Sequence, residues 1–388
     1  MRRIRLLFLL NGVIVAVFGP FASVILEDRG FNAAEIGLIS ALTSIAYVTT
    51  LSAWGHLGDV VLGRARALRL AVLAAAGLLL LFQLPLPAVL LGAAYVGYAA
   101  SFGAVGPMSD ALAVNALRDP AREYGRVRGL SSGAFAVAAV GLGVFYGQSG
   151  YRPAGLLFLV MALVIAAVVG GVPDLGRATL TAGRRGGAIR EALAIQPALP
   201  RVLLAVGLAH VGVFAGFTFL SLRIVELGGG APEVALSSSV AAAAEVFSMV
   251  AASRLAPRVG LRVVFAGSVV LYVVSLGLWS GLGSPVAIIA SRLISGAGYS
   301  GLWIASVMSM QRLLPPRLQG SGQALLSMTT VGVAGFLANV VGGLLYATRG
   351  PALLFGISAA LGLAGAVVAW TALPRHEPRR PPDAVAWP

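Results

Sequence analysis

Twelve windows of about twenty predominantly apolar residues follow one another along this chain of 388 residues. They lie at approximately 5–26, 36–54, 68–86, 89–114, 128–147, 153–172, 202–222, 233–252, 263–283, 286–310, 322–346 and 351–373. A helix of that length crosses a hydrocarbon core of ~30 Å, and it satisfies its own backbone hydrogen bonds in lipid, where water cannot. The pattern predicts an all-α integral membrane protein of twelve transmembrane helices. Little sequence is left over for a soluble domain, in keeping with a chain that is 58% hydrophobic and 11% charged. The opening MRRIRLLFLLNGVIVAVFGPFASVIL has the basic start and apolar run of a signal peptide. The run continues for about twenty residues without an A-x-A site and more spans follow, so it is read as the first membrane helix.

The formal charge of +14 would suit a nucleic-acid binder, but its placement argues for a membrane instead. Every one of the 28 basic residues is Arg, and with the N-terminus in the cytoplasm 23 of them fall on that side. Arg29, Arg152, Arg223 and Arg349 fall on the other, and Arg292 lies inside a span. Basic residues collect on the cytoplasmic side of membrane proteins. The expectation is a multi-pass protein of the cell (plasma or inner) membrane with both termini cytoplasmic, contacting lipid and no nucleic acid. With no Cys there are no disulfides or thiolate metal sites, and His56, His210 and His376 are too scattered to form a ligand cluster. No metal or other cofactor is expected. The chain lacks an H-E-x-x-H, a paired-Asp motif or a Ser/His dyad, which argues against a membrane-embedded enzyme.

The longest polar stretch begins at Pro173 and divides the spans six and six. The expected organisation is an N-terminal half at 1–172, a cytoplasmic linker at 173–201, a C-terminal half at 202–373 and a cytoplasmic tail at 374–388. The halves echo each other: GRVRGLSSG from Gly125 matches GSGQALLS from Gly320 at an offset of 195, and FYGQSGYRP from Phe145 resembles LYATRGP from Leu345. Two similar six-span halves are how many secondary carriers are built, with the substrate site between them near the bilayer midplane.

Ionisable residues inside apolar spans are costly and mark functional sites by default. Asp110 and Arg128 stand eighteen positions apart around the fourth and fifth spans. As a pair they would compensate each other while offering acceptors and a planar donor fork to a polar substrate. Alternatively, Asp110 only neutralises Arg126 or Arg128 at the helix ends. Glu245 sits midway along the eighth span with no local counter-charge, so it is a candidate to take and release a proton. The same Glu245 could instead be hydrogen-bonded across a tight seam of Ala and Ser. Arg292, a third of the way into the tenth span, either snorkels outward, pairs with Glu245 or binds an anionic group. Tyr299 and Trp303, following Gly296 and Gly298, read as an aromatic cavity wall. His210 on the seventh span titrates in a useful range, although a lone His is more often an interhelical hydrogen-bonder. Asn11 on the first span and Gln323 on the eleventh complete the candidate substrate-binding set, with Glu245, Asp110 and His210 as the candidates for proton coupling.

The loop after the second span, WGHLGDVVLGRARALRL, resembles the signature loop of the major facilitator superfamily. Gly55, Leu57, Asp59, Gly63, Arg64 and Arg66 fit its pattern, while Val60 stands at a usual Arg position and Gly63 comes one residue late. The resemblance implies that Asp59 caps a neighbouring helix and pairs with a basic residue, forming a conformational latch built from Gly55, Asp59, Gly63, Arg64 and Arg66. In the second half, SRLAPRVGLRVVF has Pro257 where the repeat would place the acid, so the charged latch is expected in one half alone. Pro107, Asp110 and Ala111, followed by Tyr124 to Arg128, Ser132 and Gly133, are similar to the branch holding lactose permease, phenylpropionate permease and nucleoside–proton symporters. That likeness implies a twelve-helix fold and substrate contacts by Asp110 and Arg128. Ala305 and Gln323 occupy the repeat positions of this pair, and the tenth span lacks the proton-carrying His and Glu of lactose permease.

Together these readings predict a carrier of a small polar or amphipathic solute. It would work by alternating access, as a monomer and in symport with protons. Proton-antiport efflux of drugs or sugars uses the same acids, and a non-transporting sensor on the same fold would bind ligand without flux.

Overall fold

The computed structural model describes residues 2–117, 120–172 and 185–373. Part of the expected linker, 173–184, and the tail from 374 lie outside the described residues. The spans form helices α1 (Arg2–Asp28), α2 (Ala33–Val61), α3 (Arg64–Gln83), α4 (Ala88–Ala116), α5 (Pro120–Ser149) and α6 (Ala154–Gly170). After the linker come α7 (Leu199–Glu226), α8 (Ala231–Val259), α9 (Leu261–Gly281), α10 (Pro285–Leu313), α11 (Pro316–Arg349) and α12 (Pro351–Ala372). Eleven are apolar over eighteen residues or more, and α6 is apolar over 17. A short linker helix, Arg185–Ile195, precedes α7.

Chain punctuation shows why the helices start and stop where they do, and it recurs in both halves. Gly30 and Gly228 follow α1 and α7 at φ 87° in each, a conformation that suits glycine. Gly63 and Gly260 cap α3 and α9 at φ 85° and 87°, and Gly150 and Gly350 follow α5 and α11 at φ 68° and 82°. The Glu35 carboxylate accepts from the Asn32 N–H at 2.9 Å to open α2, and Glu233 accepts from the Gly230 N–H at 2.7 Å to open α8. Such an N3 acid satisfies an orphan donor of the first turn. Phe21 packs edge-on to Tyr146 at 5.0 Å, and its counterpart Phe219 stacks on Tyr346 at 5.5 Å.

This register refines the internal match. Gly63 and Gly260 correspond, so Ala256 rather than Pro257 stands opposite Asp59. Counted back from the Tyr146/Tyr346 pair, Arg128 falls level with the π-helical stretch Met328–Ala334 of α11, away from Gln323. In either register the second half carries neither charge.

The halves meet along two equivalent seams. A Cβ on Gly37 of α2 would lie 2.7 Å from the Gly343 Cα of α11, and one on Gly143 of α5 would lie 2.9 Å from the Ala231 carbonyl oxygen of α8. Only small residues allow backbones so close, the usual device for helix contact in lipid. Both seams lie toward the loops at Gly30, Gly150, Gly228 and Gly350. Toward the linker face, Gly125, Gly129 and Gly133 of α5 have open space where a Cβ would go. The halves are therefore sealed on one face and parted on the other.

Candidate functional site

A cavity of about 770 Å³ lies between the halves. The first half contributes the C-terminal part of α1 around Gly19 and Pro20 and the face of α5 carrying Arg128. The second half supplies Phe217 from α7, Glu245 from α8, and Arg292, Tyr299 and Trp303 from α10. The tertiary structure thus brings together five of the sequence candidates: Arg128, Glu245, Arg292, Tyr299 and Trp303. On α10, Arg292, Tyr299 and Trp303 follow one another at intervals of seven and four, so they share one helix face.

Arg292 does not snorkel. It is 8% exposed, and its guanidinium donates to the Ser237 carbonyl at 3.4 Å and to Ser295 Oγ at 2.9 Å. Its charge also sits 5.5 Å from the centre of the Trp279 ring, and Tyr272 of α9, whose hydroxyl donates to the Val213 carbonyl at 3.5 Å, lies close by. Trp279 is held by donating to Ser291 Oγ at 2.8 Å. Glu245 is near enough to interact electrostatically with Arg292, yet the two do not form an ion pair within 4.0 Å. Tyr299 packs edge-on to Phe217 at 5.4 Å, which fixes the aromatic wall.

Arg128 is exposed toward the cavity, and Asp110 is half-buried outside its lining. They do not form an ion pair within 4.0 Å, and Tyr124 of α5 lies near both. Tyr124 lies in the YGRVR run, so the sequence held it in view, but nothing in its spacing announced a place near both charges. Tyr272 and Trp279 gave still less signal, because aromatic residues on an apolar helix usually mean packing.

Three other candidates stand away from the cavity. Asn11 donates to Ser109 Oγ at 2.8 Å in the contact between α1 and α4, one residue from Asp110. His210 is buried behind the aromatic wall, its Nδ1 at 2.8 Å from the Val206 carbonyl and its ring 6.4 Å from that of Trp303. Gln323 lines a different cleft of about 840 Å³, nearer the linker face. That cleft also takes in Gly55, Asp59 and Arg64, together with Ala188 of the linker helix. There Arg64 Nε donates to Asp59 Oδ1 at 2.6 Å across the turn that Gly63 opens, with Arg66 exposed beside it. Glu191 of the linker helix pairs with Arg317 of α11.

The MFS_1-like family matches this chain over residues 2–357, nearly its whole length. The chain belongs to the major facilitator superfamily. It is accordingly a multi-pass membrane transporter and not an enzyme, and the twelve-helix architecture in two pseudo-symmetric halves is that of the superfamily. The chain is 26% identical over 335 residues to the maltose permease of Geobacillus stearothermophilus, covering 84% of this transporter and 82% of the permease. Among solved structures, a point mutant of the nucleoside transporter NupG superposes with a TM-score of 0.84 at 14% identity, covering 95% of this chain and 98% of that one. The D-xylose-proton symporter superposes with a TM-score of 0.70 at 15% identity, covering 96% and 98%. At such identities the structural matches establish the fold.

Proposed function

We propose that the transporter carries a small polar or amphipathic solute in symport with protons, as a monomer in the cell membrane with both termini cytoplasmic. The observation that carries this reading is the cavity between the halves, in which Glu245 faces Arg128 and Arg292 against an aromatic wall. A carboxyl in such a place can load and release a proton as the cavity changes its access, and the guanidiniums supply directional donors to the solute. Asp110 acts on the solute through Tyr124 and Arg128. Among the described residues, His210 Nε2 has no hydrogen-bond partner, and His210 is a second proton-handling group.

With Arg-rich loops in the cytoplasm, the sealed face is external and the parted face internal. The described conformation is then inward-facing. Gly55, Asp59, Gly63, Arg64 and Arg66 form the latch on that inner side, and its Asp59–Arg64 pair has no counterpart at Ala256. Rocking about the two glycine seams exchanges one access for the other.

Reconstituted vesicles test the reading. An imposed inward proton gradient should drive accumulation of at least one solute from a panel of sugars, nucleosides and organic acids. Glu245→Gln should abolish that accumulation while sparing solute exchange. If no gradient in either direction drives flux of any member of the panel, proton coupling is wrong, and flux driven outward by proton entry would make the protein an antiporter.

A further inference from the structure

The charges that line the cavity do not balance. Two guanidiniums and one carboxylate face it, and among the described residues neither Arg128 nor Arg292 has a carboxylate within ion-pair distance. Arg292 is more than nine-tenths buried, and its hydrogen-bond partners are neutral: a backbone carbonyl and a serine hydroxyl. Arg128 and Asp110 do not form an ion pair within 4.0 Å among the described residues. A buried cation without a counter-ion is expensive in a low-dielectric interior and favours a site that an anion completes. Guanidiniums suit that role because their planar donor forks match an oxyanion bidentately. Around the charges, Phe135, Phe217, Tyr299, Trp303, Val246 and Met249 offer apolar surface.

Resting on the transport reading above, we propose that the substrate is an organic monoanion, a carboxylate or sulfonate on a compact apolar body. Its charged group sits between Arg128 and Arg292, and its body lies against the wall of Phe217, Tyr299 and Trp303. The groups that bear on Glu245 are Arg292 and Tyr299 of α10 and Tyr272 of α9, with Arg128 across the cavity on α5. While ionised, Glu245 offsets one positive charge and competes with the substrate. Once protonated it leaves both guanidiniums to the anion. Proton and anion therefore load together, and the transported pair is electrically neutral.

The test uses the full chain in lipid nanodiscs with benzoate and benzenesulfonate as probes, against benzamide, benzenesulfonamide, maltose and uridine. An anion should raise the unfolding temperature where its uncharged amide does not. Arg128→Gln and Arg292→Gln should each weaken anion binding at least tenfold. Arg128 is exposed and has no ion-pair partner within 4.0 Å among the described residues, so its variant keeps the test sound if the Arg292 variant fails to fold. Stabilisation by maltose or uridine without stabilisation by either anion would overturn the proposal. So would no response to any probe, or unchanged anion binding in Arg128→Gln.

Vesicle flux of benzenesulfonate, whose acid form does not cross bilayers, separates the two readings. It should follow the pH gradient and ignore a potassium–valinomycin potential, whereas a neutral solute moving with a proton would respond to that potential. Anion flux that ignores pH would sink proton coupling and leave the anion site standing. Flux of a neutral solute driven by pH would do the reverse.

Discussion

Two helices of the first half are interrupted where their counterparts in the second run straight. α1 breaks into a 3₁₀ turn at Gly19–Phe21, around Pro20, while α7 is continuous through Phe219. α4 breaks at Gly103 and Ala104, and the freed Ala100 carbonyl accepts from Thr50 Oγ1 and Trp54 Nε1, both at 2.9 Å. α10 runs unbroken from Pro285 to Leu313 and carries Arg292, which is held by Ser295 and lies over the Trp279 ring. Irregular backbone at membrane depth is tolerated where protein groups re-satisfy it, as Thr50 and Trp54 do here. The first-half wall of the cavity thus has a place to bend in α1, whereas α7, α8 and α10 of the second-half wall are continuous and hold Glu245 and Arg292 in place. A two-fold fold can in this way place its breaks unequally: α1 and α4 are interrupted in the first half, while in the second it is α11 that carries a π-helical stretch.

The comparison breaks most easily at the charges. Glu245→Gln should cut gradient-driven accumulation at least tenfold and leave exchange near normal, whereas Asp110→Asn should impair exchange and accumulation alike because it acts on binding. If both variants show the same pattern in paired vesicle assays, the division of roles between the halves is wrong.

A somewhat smaller effect is expected at the seams. Gly37→Val and Gly143→Val each force a side chain into backbone, and overpacking of this kind costs about 1–3 kcal/mol. Because the seams are equivalent, the two variants should open the sealed face to a similar extent. The chain has no native cysteine, so a single Val15→Cys in the cavity wall reports this directly. Its labelling by an impermeant thiol reagent from the sealed face should rise several-fold in either variant, and a rise in only one would show that the seams are not equivalent.

The loops offer a sharper check of symmetry. Gly63→Ala and Gly260→Ala place a Cβ at positive φ, which costs about 1 kcal/mol, and the loss of thermal stability should be equal in both. The smallest effect belongs to the latch. Asp59→Asn removes a partly exposed ion pair worth at most about 1 kcal/mol, so it should lower stability slightly and shift the conformational equilibrium only a few-fold. Ala256→Ser at the twin position should do nothing measurable to that equilibrium.

Much of this was legible in the chain. The spans came from apolar length alone, and the described helices exceed them by a few residues because polar helix ends continue into the interface, as at Pro316–Ser321. The halves came from weak internal similarity, but the register slipped: α11 contains a π-helical stretch at Met328–Ala334, and such a stretch changes the residue count without changing the face presented. Of the candidate site, charge in an apolar context pointed to Arg128, Glu245 and Arg292, and helix periodicity added Tyr299 and Trp303. The same signals could not show that Asn11 and His210 turn into helix contacts or that Gln323 faces the cleft near the linker, since a polar residue in a span looks alike in all three settings.

By itself, the sequence determined that the chain crosses a membrane many times in two similar halves, because the cost of exposing peptide groups and charges to lipid writes itself into length and composition. It also determined the superfamily loop, because a turn that needs glycine and a paired charge tolerates few residue types. Only the tertiary structure decided which ionisable groups meet in one cavity, that Asp110 and Arg128 do not form an ion pair, and that Arg292 is left with neutral hydrogen-bond partners. Those facts depend on helix rotation and on contacts between segments far apart in the chain, and the local pattern of apolar and polar residues does not encode them.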